Sequence, residues 1–429
     1  MQIVSQLLFF AALAAAVYFF SRRAAGIRRN ILLGRDIDLT DQPGRRWKNL
    51  LLLAFGQKKM FRNPLVAVLH FFVYAGFVII NLEILEIIID GLAGTHRIFA
   101  PVLGPVYPVL IGCFEILAVL VAVSCAIFLI RRNILKLKRF ISHDLDGWPR
   151  SDANYILITE IVLMLLFLTM NTADGVLQSR GAAHYTETGS FWVTGMFQPL
   201  FEGFSDATLV GIERGAWWLH ILGILAFLNY LPWSKHLHII LAFPNAYFAR
   251  LEPNGKMENM PAIQQEVLYA MQPELAPTDA PAAEVPKFGA KDVQDLTWKN
   301  LLDAFSCTEC GRCSAACPAT QTGKALSPRL IMMKTRDRAE AAGRGETDKT
   351  LLRDYITEEE LRACTSCGAC VQECPVSINP LDIIFQMRRH LVMEESSAPQ
   401  EWTLMFSNIE NNMAPWKSSP DERDAWIHA

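Results

Sequence analysis

Eight of the ten cysteines stand in two copies of one spacing, C-x2-C-x2-C-x3-C-P. The copies contain Cys307, Cys310, Cys313 and Cys317 before Pro318, and Cys364, Cys367, Cys370 and Cys374 before Pro375. In this spacing three thiolates of a short loop bind three corners of a cubane iron–sulfur cluster, and the fourth cysteine, expected on a following helix, binds the neighbouring cluster. The pattern predicts two [4Fe–4S] clusters with exchanged fourth ligands, held by Cys307, Cys310, Cys313 and Cys374 and by Cys364, Cys367, Cys370 and Cys317.

Zinc and disulfides are the alternatives for these cysteines. Paired C-x2-C motifs also bind zinc, but two complete four-cysteine runs, each followed by proline, exceed what a zinc ribbon needs. A disulfide framework fits less well, because cluster thiolates require a reducing compartment and a chain of 429 residues is not a small secreted domain. Iron–sulfur chemistry is therefore the favoured interpretation.

The apolar residues are concentrated in the first 245 positions. Hydrophobic residues make up 52% of the chain and the mean hydropathy is +0.21. Five apolar segments are long enough, or nearly so, to cross a bilayer, at residues 3–20, 64–90, 105–130, 153–171 and 213–240. We expect the lipid bilayer as a partner and no nucleic acid. The net charge of −3 itself says little about partners, because the basic residues are segregated by position along the chain.

The basic residues predict how the spans are oriented. No Lys or Arg precedes the first apolar segment and arginines follow it, the reverse of a secretory signal, so we expect a retained span with its N-terminus outside. Residues 21–63 and 131–152 carry eleven and six Lys or Arg, whereas the intervening connections carry three in all. The positive-inside rule then places both basic connections and the C-terminal cysteines in the cytoplasm.

Histidines within the spans are candidate haem ligands, because burying a ligating residue costs free energy unless it has a partner. His70 lies about 9 Å into the second span from its cytoplasmic end, and His238 lies near the same end of the fifth. Two imidazoles at one depth on facing helices are what a six-coordinate haem b requires. We expect His70 and His238 to hold haem b. His236 is an alternative ligand, although helical geometry turns it about 160° away from His220. The alternative is that these histidines lie at the membrane interface and hydrogen-bond to lipid headgroups or to the backbone.

His220 raises the possibility of a second haem. If the fifth span is one straight helix, His220 shares a face with His238 at the opposite depth, about 27 Å away. No span histidine matches its depth, so His96, His184 or Met164 would have to complete the site, and each of these has an ordinary role in packing or solvation instead.

Carboxylates near the outer ends of the spans are candidates for a quinone site. Quinone chemistry moves protons together with electrons, so an acid or imidazole near a membrane-embedded haem fits that role. The candidates are Glu83, Glu115 and His96. Glu115 is the deepest of them, and we expect it to be hydrogen-bonded, protonated or part of a proton path.

The residues after the spans predict a second, mainly helical domain. Residues 246–287 are polar, are interrupted by Pro273, Pro277, Pro281 and Pro286, and are typical of an extended linker. Helical composition marks residues 298–305, 326–338, 358–363 and 382–393. We expect an all-α membrane protein with a five-helix cytochrome b bundle over 1–245, a two-[4Fe–4S] ferredoxin-like domain over 288–395, and a partner-docking tail over 396–429.

The last span resembles the haem-binding helix of the nitrate reductase gamma subunit family and of the cytochrome b subunits of membrane heterodisulfide reductases. The resemblance is carried by Trp218, Leu219, His220, the run from Leu231 to Lys235, His238, Ile239 and Pro244. It implies five spans, an outside N-terminus and two b haems, each with histidines from the second and fifth helices. His70, His220 and His238 match three of those four histidines. Ile80 stands where the fourth is expected, which puts the distal haem in doubt.

Residues 288–390 resemble the ferredoxin-like subunit of heterodisulfide reductases. In relatives such as the electron-transfer-flavoprotein:menaquinone oxidoreductases, both modules occur on one chain, which continues into cysteine-rich catalytic domains. Here Ala414, Pro415 and Trp416 are followed by only a short segment. We therefore expect the catalytic domain on a separate subunit.

The expected function is electron transfer at a bacterial or archaeal cytoplasmic membrane. The chain would be the membrane subunit of a quinone-linked oxidoreductase, passing electrons between a flavoprotein or cysteine-rich partner, two clusters, haem b and menaquinone. The alternative is a membrane redox sensor or scaffold whose clusters regulate the binding of a partner. Such a sensor would show no quinone-linked turnover even with its partners present.

Overall fold

The computed structural model describes residues 2–254, 256–276, 287–417, 419–422 and 424–428, and their regular structure is helical. Isolated bridges such as that between Arg35 and Thr297 are the only β-type pairings in this part of the chain. The all-α class predicted from the sequence is confirmed.

Five long helices have the length and composition of membrane spans: α1 (Gln2–Ile31), α3 (Pro64–Ala93), α5 (Val106–Leu129), α6 (Trp148–Ser179) and α7 (Asp206–Tyr230). The short helix α2 (Pro43–Asn49) lies between the first two, and α4 (Ala100–Leu103) precedes α5. Together with the helical turns that directly follow α5 and α7, the candidate spans have 28 to 32 residues, which exceeds the roughly 20 that cross a bilayer core. The prediction of five spans is confirmed by length and composition.

The fifth span is not continuous to residue 240, so that expectation is wrong. Helix α7 ends at Tyr230, Ser234 has extended backbone angles, and a new helix, α8 (His238–Tyr247), starts at His238. Pro232 cannot donate a backbone hydrogen bond, and the Ser234 hydroxyl accepts one from the His236 amide at 3.0 Å. The histidine loop (residues 231–237) therefore breaks the periodic relation between His220 and His238.

The C-terminal domain is built from short helices around two cysteine loops: α10 (Trp298–Phe305), α11 (Arg312–Ala315), α12 (Pro318–Gln321), α13 (Pro328–Gly343), α14 (Leu351–Asp354), α15 (Glu358–Arg362), α16 (Ala369–Glu373) and α17 (Pro380–Arg389). Capping boxes at Thr297 and Thr357 fix the starts of α10 and α15. The predicted helix at 298–305 has the predicted bounds, whereas α13 runs five residues beyond the predicted end at 338.

The segment between the domains is only partly extended. Helix α9 (Pro261–Met271) occupies residues that were expected to form an extended linker, and most of its residues are exposed. Pro277, Pro281 and Pro286 lie outside the described residues. In the tail, α18 (Gln400–Asn412) is also largely exposed.

The C-terminal domain packs against one end of the bundle. Ile27 and Ile31, near the end of α1, join its hydrophobic core together with Leu231 and Leu237 from the histidine loop. Arg23 of α1 pairs with Glu340 at 3.2 Å. The connections that are rich in Lys and Arg lie at this same end, since Lys59 and Arg139 both contact the C-terminal domain.

Candidate functional site

The two cysteine loops have the same backbone geometry. Glu309 and Ser366, each two residues after the first cysteine of its motif, have positive φ angles of 54° and 59°. Their amides donate to the sulfur atoms of Cys307 and Cys364, at 3.4 Å in both cases. Glycines with φ near +70° follow the second cysteines and start α11 and α16. N–H groups aimed at sulfur are one of the ways in which proteins tune the potential of a cluster.

Cysteines of the two motifs lie near one another, as the two predicted groups of four require. Cys374 lies within electrostatic range of Cys307, Cys310 and Cys313, and Cys317 lies within range of Cys364 and Cys370. Each fourth cysteine thus lies near cysteines of the other motif, and Cys313 is also within range of Cys370. Their local setting differs from the expected position on a following helix, because Cys317 precedes α12 whereas Cys374 ends α16.

A cubane cluster and a single zinc ion need different arrangements of thiols. In the described residues, no three His, Cys, Asp or Glu side chains converge as ligands of one metal ion. A zinc ion needs its sulfur ligands about 2.3 Å from one centre. A cubane binds each thiolate through a different iron, so its ligands stand farther apart.

His70 and His238 line one cavity of about 380 Å³, between α3, α5, α6 and the histidine loop. Cysteines of the first group also line this cavity: Cys307, Cys310, Cys313 and Cys374. The two imidazoles are close enough to interact electrostatically. One space therefore connects the candidate haem ligands with the candidate cluster ligands.

The ring nitrogens of both histidines suit ligation of iron. His70 Nδ1 lies 3.0 Å from Gln57 Oε1, and His238 Nδ1 lies 3.1 Å from the Lys235 carbonyl oxygen. An Nδ1–H group that donates to such an oxygen fixes the ring and leaves Nε2 for the metal. Gln57 is buried in the loop before α3 with a φ of +47°. The residues present therefore fit a haem at this position.

His236 lies on the same cavity, so the expectation that it faces elsewhere is wrong. Its ring centroid is 5.6 Å from that of His238, and its Nε2 is 4.0 Å from Glu160 Oε1. The expectation assumed one continuous helix, which the break at Ser234 removes.

A buried chain of polar contacts links the first cysteine loop to His238. The Glu309 carboxylate lies 2.5 Å from Lys235 Nζ and 2.9 Å from Arg336 Nη1. The backbone carbonyl oxygen of Lys235 in turn lies within hydrogen-bonding distance of His238 Nδ1. Burial alone would raise the pKa of Glu309, but attraction to Lys235 and Arg336 outweighs burial and holds that pKa below its usual value. Sequence reasoning missed Gln57 and Glu309, because ordinary polar residues carry no spacing signal. Lys235 stood in the run that carries the resemblance, but it had no assigned role.

His220 is fully buried between helices in the half of the bundle away from the C-terminal domain. Its Nδ1 lies 2.9 Å from the Leu163 carbonyl oxygen, and its Nε2 has no hydrogen-bond partner in the described residues. Ile80 and Met164 are buried in the same hydrophobic core, and His184 is exposed in an outer loop. The surroundings of His220 are those of a packed core.

The predicted quinone-site groups differ in how fully they are bonded. Glu115 accepts from the amides of Val193 and Thr194, from the Thr194 hydroxyl, and from Asn171 at 3.2 Å. Its carboxylate therefore holds the loop of Val193 and Thr194 against α5. This agrees with the expectation that Glu115 is hydrogen-bonded.

Glu83 and His96 instead line a small cavity at the end of the bundle away from the C-terminal domain. Glu83 Oε2 and His96 Nδ1 are buried without hydrogen-bond partners in the described residues. His96 Nε2 lies 3.2 Å from Asp174 Oδ1, and Arg97 lies 2.6 Å from the other oxygen of that carboxylate. Attraction to Tyr107 and Asp174 raises the pKa of Arg97 although burial opposes this, so the guanidinium stays charged.

Comparison with known proteins identifies the class of this chain. Residues 303–378 match the 4Fe-4S dicluster domain. Together with the five apolar helices, this makes the protein a membrane-anchored iron–sulfur electron-transfer subunit. No solved structure gives a significant match.

The curated relatives are oxidoreductases. The chain is 29% identical, over 99% of its length, to "Probable iron-sulfur-binding oxidoreductase FadF" of Bacillus subtilis, and 25% identical, over 92%, to "EtfAB:quinone oxidoreductase" of Syntrophomonas wolfei. It covers 61% and 56% of those two relatives. It is also 32% identical, over 34% of its length and 25% of the relative, to "Probable membrane-anchored ferredoxin" of Chromohalobacter salexigens. With heterodisulfide reductase subunits also related, the predicted resemblance is confirmed.

Proposed function

We propose that this protein is the membrane subunit of a quinone-linked oxidoreductase and passes electrons between a cytoplasmic redox partner and the menaquinone pool. The observation that carries the proposal is the single cavity lined by both His70 and His238 and by the first group of cysteines. Two [4Fe–4S] clusters and one haem b would supply one-electron transfer there. The swapped cysteine groups would hold the clusters, and His70 and His238 would hold the haem.

One haem fits the described residues better than two. A second haem at His220 would need a ligand opposite it, and Ile80 occupies the position that the resemblance assigns to that ligand. The helices also approach closely, since a Cβ at Gly76 would lie 2.4 Å from Val121 and one at Gly223 would lie 2.8 Å from Leu163. We therefore propose a single haem at the end of the bundle near the clusters.

The outer cavity supports a role for Glu83 and His96 in quinone chemistry. Both carry buried polar atoms without partners, which could bond to a quinone oxygen or a water molecule. Glu115 already accepts four hydrogen bonds, so we assign it a structural role.

The partner is proposed to be an electron-transfer flavoprotein or a cysteine-rich subunit. The name of the Syntrophomonas relative supports the first and the heterodisulfide reductase relatives support the second. Tail helix α18 offers a docking surface, because Trp402, Leu404 and Phe406 are 40 to 54% exposed. The basic connections favour a cytoplasmic position for the cluster domain in a bacterial or archaeal membrane.

The experiment is cofactor counting and redox spectroscopy on the purified membrane complex. We expect about eight irons and one haem per chain, with the haem reduced by a menaquinol analogue. His70→Leu and His238→Leu should lose the haem and keep the iron, whereas the matched control His184→Leu, in the exposed outer loop, should keep both. His236→Leu should also keep the haem, because His236 is the alternative ligand and not the proposed one.

Three results would contradict the proposal. A preparation with eight irons and no haem would remove the haem site. Two haems would contradict the assignment of His220 to the core. A complex with all cofactors and partners that never exchanges electrons with quinone would favour the redox sensor instead.

A further inference from the structure

One side of the shared cavity carries an excess of positive charge. Arg131 at the end of α5, Arg139 in the following loop and Arg312 at the start of α11 all line the cavity. They come from three separate segments. The backbone of Arg139 packs on Gly311, since a Cβ at that glycine would lie 3.3 Å from the Arg139 carbonyl oxygen. Arg139 is also within electrostatic range of both other arginines.

These three guanidinium groups have no carboxylate partner in the described part of the chain. Arg312 makes only a long contact of 3.5 Å to the Lys59 carbonyl oxygen, and Arg139 has only the ring of Phe140, at 4.7 Å. No hydrogen bond of the Arg131 side chain occurs among the described residues. Burial is the main cause that lowers the pKa of Arg139; attraction to Cys310 opposes it, and repulsion from Arg312 and Arg131 adds to it.

The carboxylates that line the cavity are already engaged. Glu309 pairs with Lys235 and Arg336, and Glu160 faces His236. The other lining arginines differ from the three. Arg329 pairs with Asp144 at 2.9 Å, and Arg132 donates to oxygen atoms of Asn154 and Arg150. Clustered, half-buried cations without carboxylate partners are destabilising, and the thiols of the first cysteine group are the other groups on this cavity that can carry negative charge. The site therefore suits a further anionic ligand.

The remaining walls of the cavity are apolar. They include Phe77 and Val78 of α3, Phe128 of α5, and Ile156 and Leu157 of α6. A ligand that matches this cavity is therefore largely apolar and carries its negative charge at one edge. Haem b has this form, with an apolar macrocycle and two propionate groups on one side. Arg312 is also within electrostatic range of His70.

We propose that Arg131, Arg139 and Arg312 bind the two propionate groups of the haem, an inference that rests on the proposed function. Such a contact would place the charge of the arginines beside the haem and near Cys310, which also lines the cavity. Positive charge beside the haem favours its reduced form. The arginines therefore raise its reduction potential as well as orienting it.

The test uses Arg131→Gln, Arg139→Gln and Arg312→Gln, with Lys138→Gln as the matched control. Lys138 is exposed in the same loop as Arg139 and does not line the cavity. The haem and cluster potentials are measured by spectroelectrochemical titration of the full-length protein. Infrared difference spectra are recorded with haem labelled in its propionate carboxyl carbons, and bound phospholipid is quantified.

We expect each Arg-to-Gln variant to lower the equilibrium constant for haem reduction about tenfold, which is 59 mV for a one-electron couple. The labelled carboxylate bands should shift, Lys138→Gln should match the wild type, and Arg139→Lys should recover most of the potential. Loss of haem with full iron content in the triple variant would support the same contact.

Other results would overturn the inference. Unchanged haem potential and propionate bands, together with a shifted potential of the Cys307 cluster, would assign the arginines to the cluster. Loss of bound phospholipid with unchanged haem bands would assign them to a lipid phosphate. A wild-type protein without haem would instead refute the proposed function itself.

Discussion

Glu309 couples the cluster domain to the histidine loop of the membrane bundle, and Glu309→Gln should weaken that coupling. Its carboxylate is 3% exposed and holds Lys235 and Arg336 from two different segments. Glutamine keeps the shape but leaves both cations beside a neutral amide. Removing one partner of a buried ion pair costs about 3–5 kcal/mol. We expect about 3 kcal/mol, because Arg336 retains Asp337 at 3.4 Å.

The assay is thermal unfolding of the purified holoprotein in detergent, followed by fluorescence and by the visible absorbance of its cofactors. With an unfolding entropy of about 2.1 cal/mol/K per residue, a loss of this size lowers the melting temperature by about 3 °C for 429 residues that unfold as one unit. The matched control is Glu346→Gln, whose partner Arg344 is 62% exposed, and it should cost about 0–1 kcal/mol. The double variant with Lys235→Met should be less destabilised than the sum of the single variants. Equal melting temperatures for the Glu309 and Glu346 variants would refute the argument.

Three further substitutions test contacts of the cysteines, of His70 and of Arg329. Cys374→Ser should remove iron from the cluster of the first motif and leave the second cluster, so that the iron content falls by up to about four per chain. The control Cys113→Ser, in a span, should leave the iron content unchanged. Loss of the second cluster alone, measured by iron analysis and EPR, would contradict the exchanged ligands. Gln57→Leu removes the hydrogen-bond acceptor of His70 Nδ1, so it should weaken haem binding about 10- to 100-fold and raise the reduction potential of the haem. Gln57→Glu should lower that potential. If a redox titration shows shifts of the same sign for both variants, Gln57 does not tune the haem through His70. Asp144→Asn breaks contacts to Arg329 and Ser327 at 2.9 and 2.5 Å and should lower the melting temperature, while the neighbouring Asp146→Asn, whose side chain is 54% exposed, should behave as wild type.

Local patterns in the chain were sufficient for the fold class and for the choice of cluster cysteines. The two cysteine motifs depend on spacings of a few residues, and each folds into the same loop with an amide aimed at sulfur. Long apolar runs likewise predict membrane helices from composition alone, and five were found. The helix over 298–305 has a capping box within its own first turn, so its bounds were also readable from nearby residues.

The arrangement around the histidines depends on contacts between distant segments. Helical periodicity misplaced His236, because Pro232 and Ser234 interrupt the fifth helix and α8 starts afresh at His238. Glu309 and Lys235 are 74 positions apart and meet only because the cluster domain packs on the histidine loop.

The same holds for the arginines of the cavity, which come from three segments. Residue spacing and composition describe neighbours along the chain, so they identify the cysteine motifs and the apolar spans. Ion pairs, unpaired cations and a shared cavity arise from packing of distant segments against each other, and no local pattern encodes them.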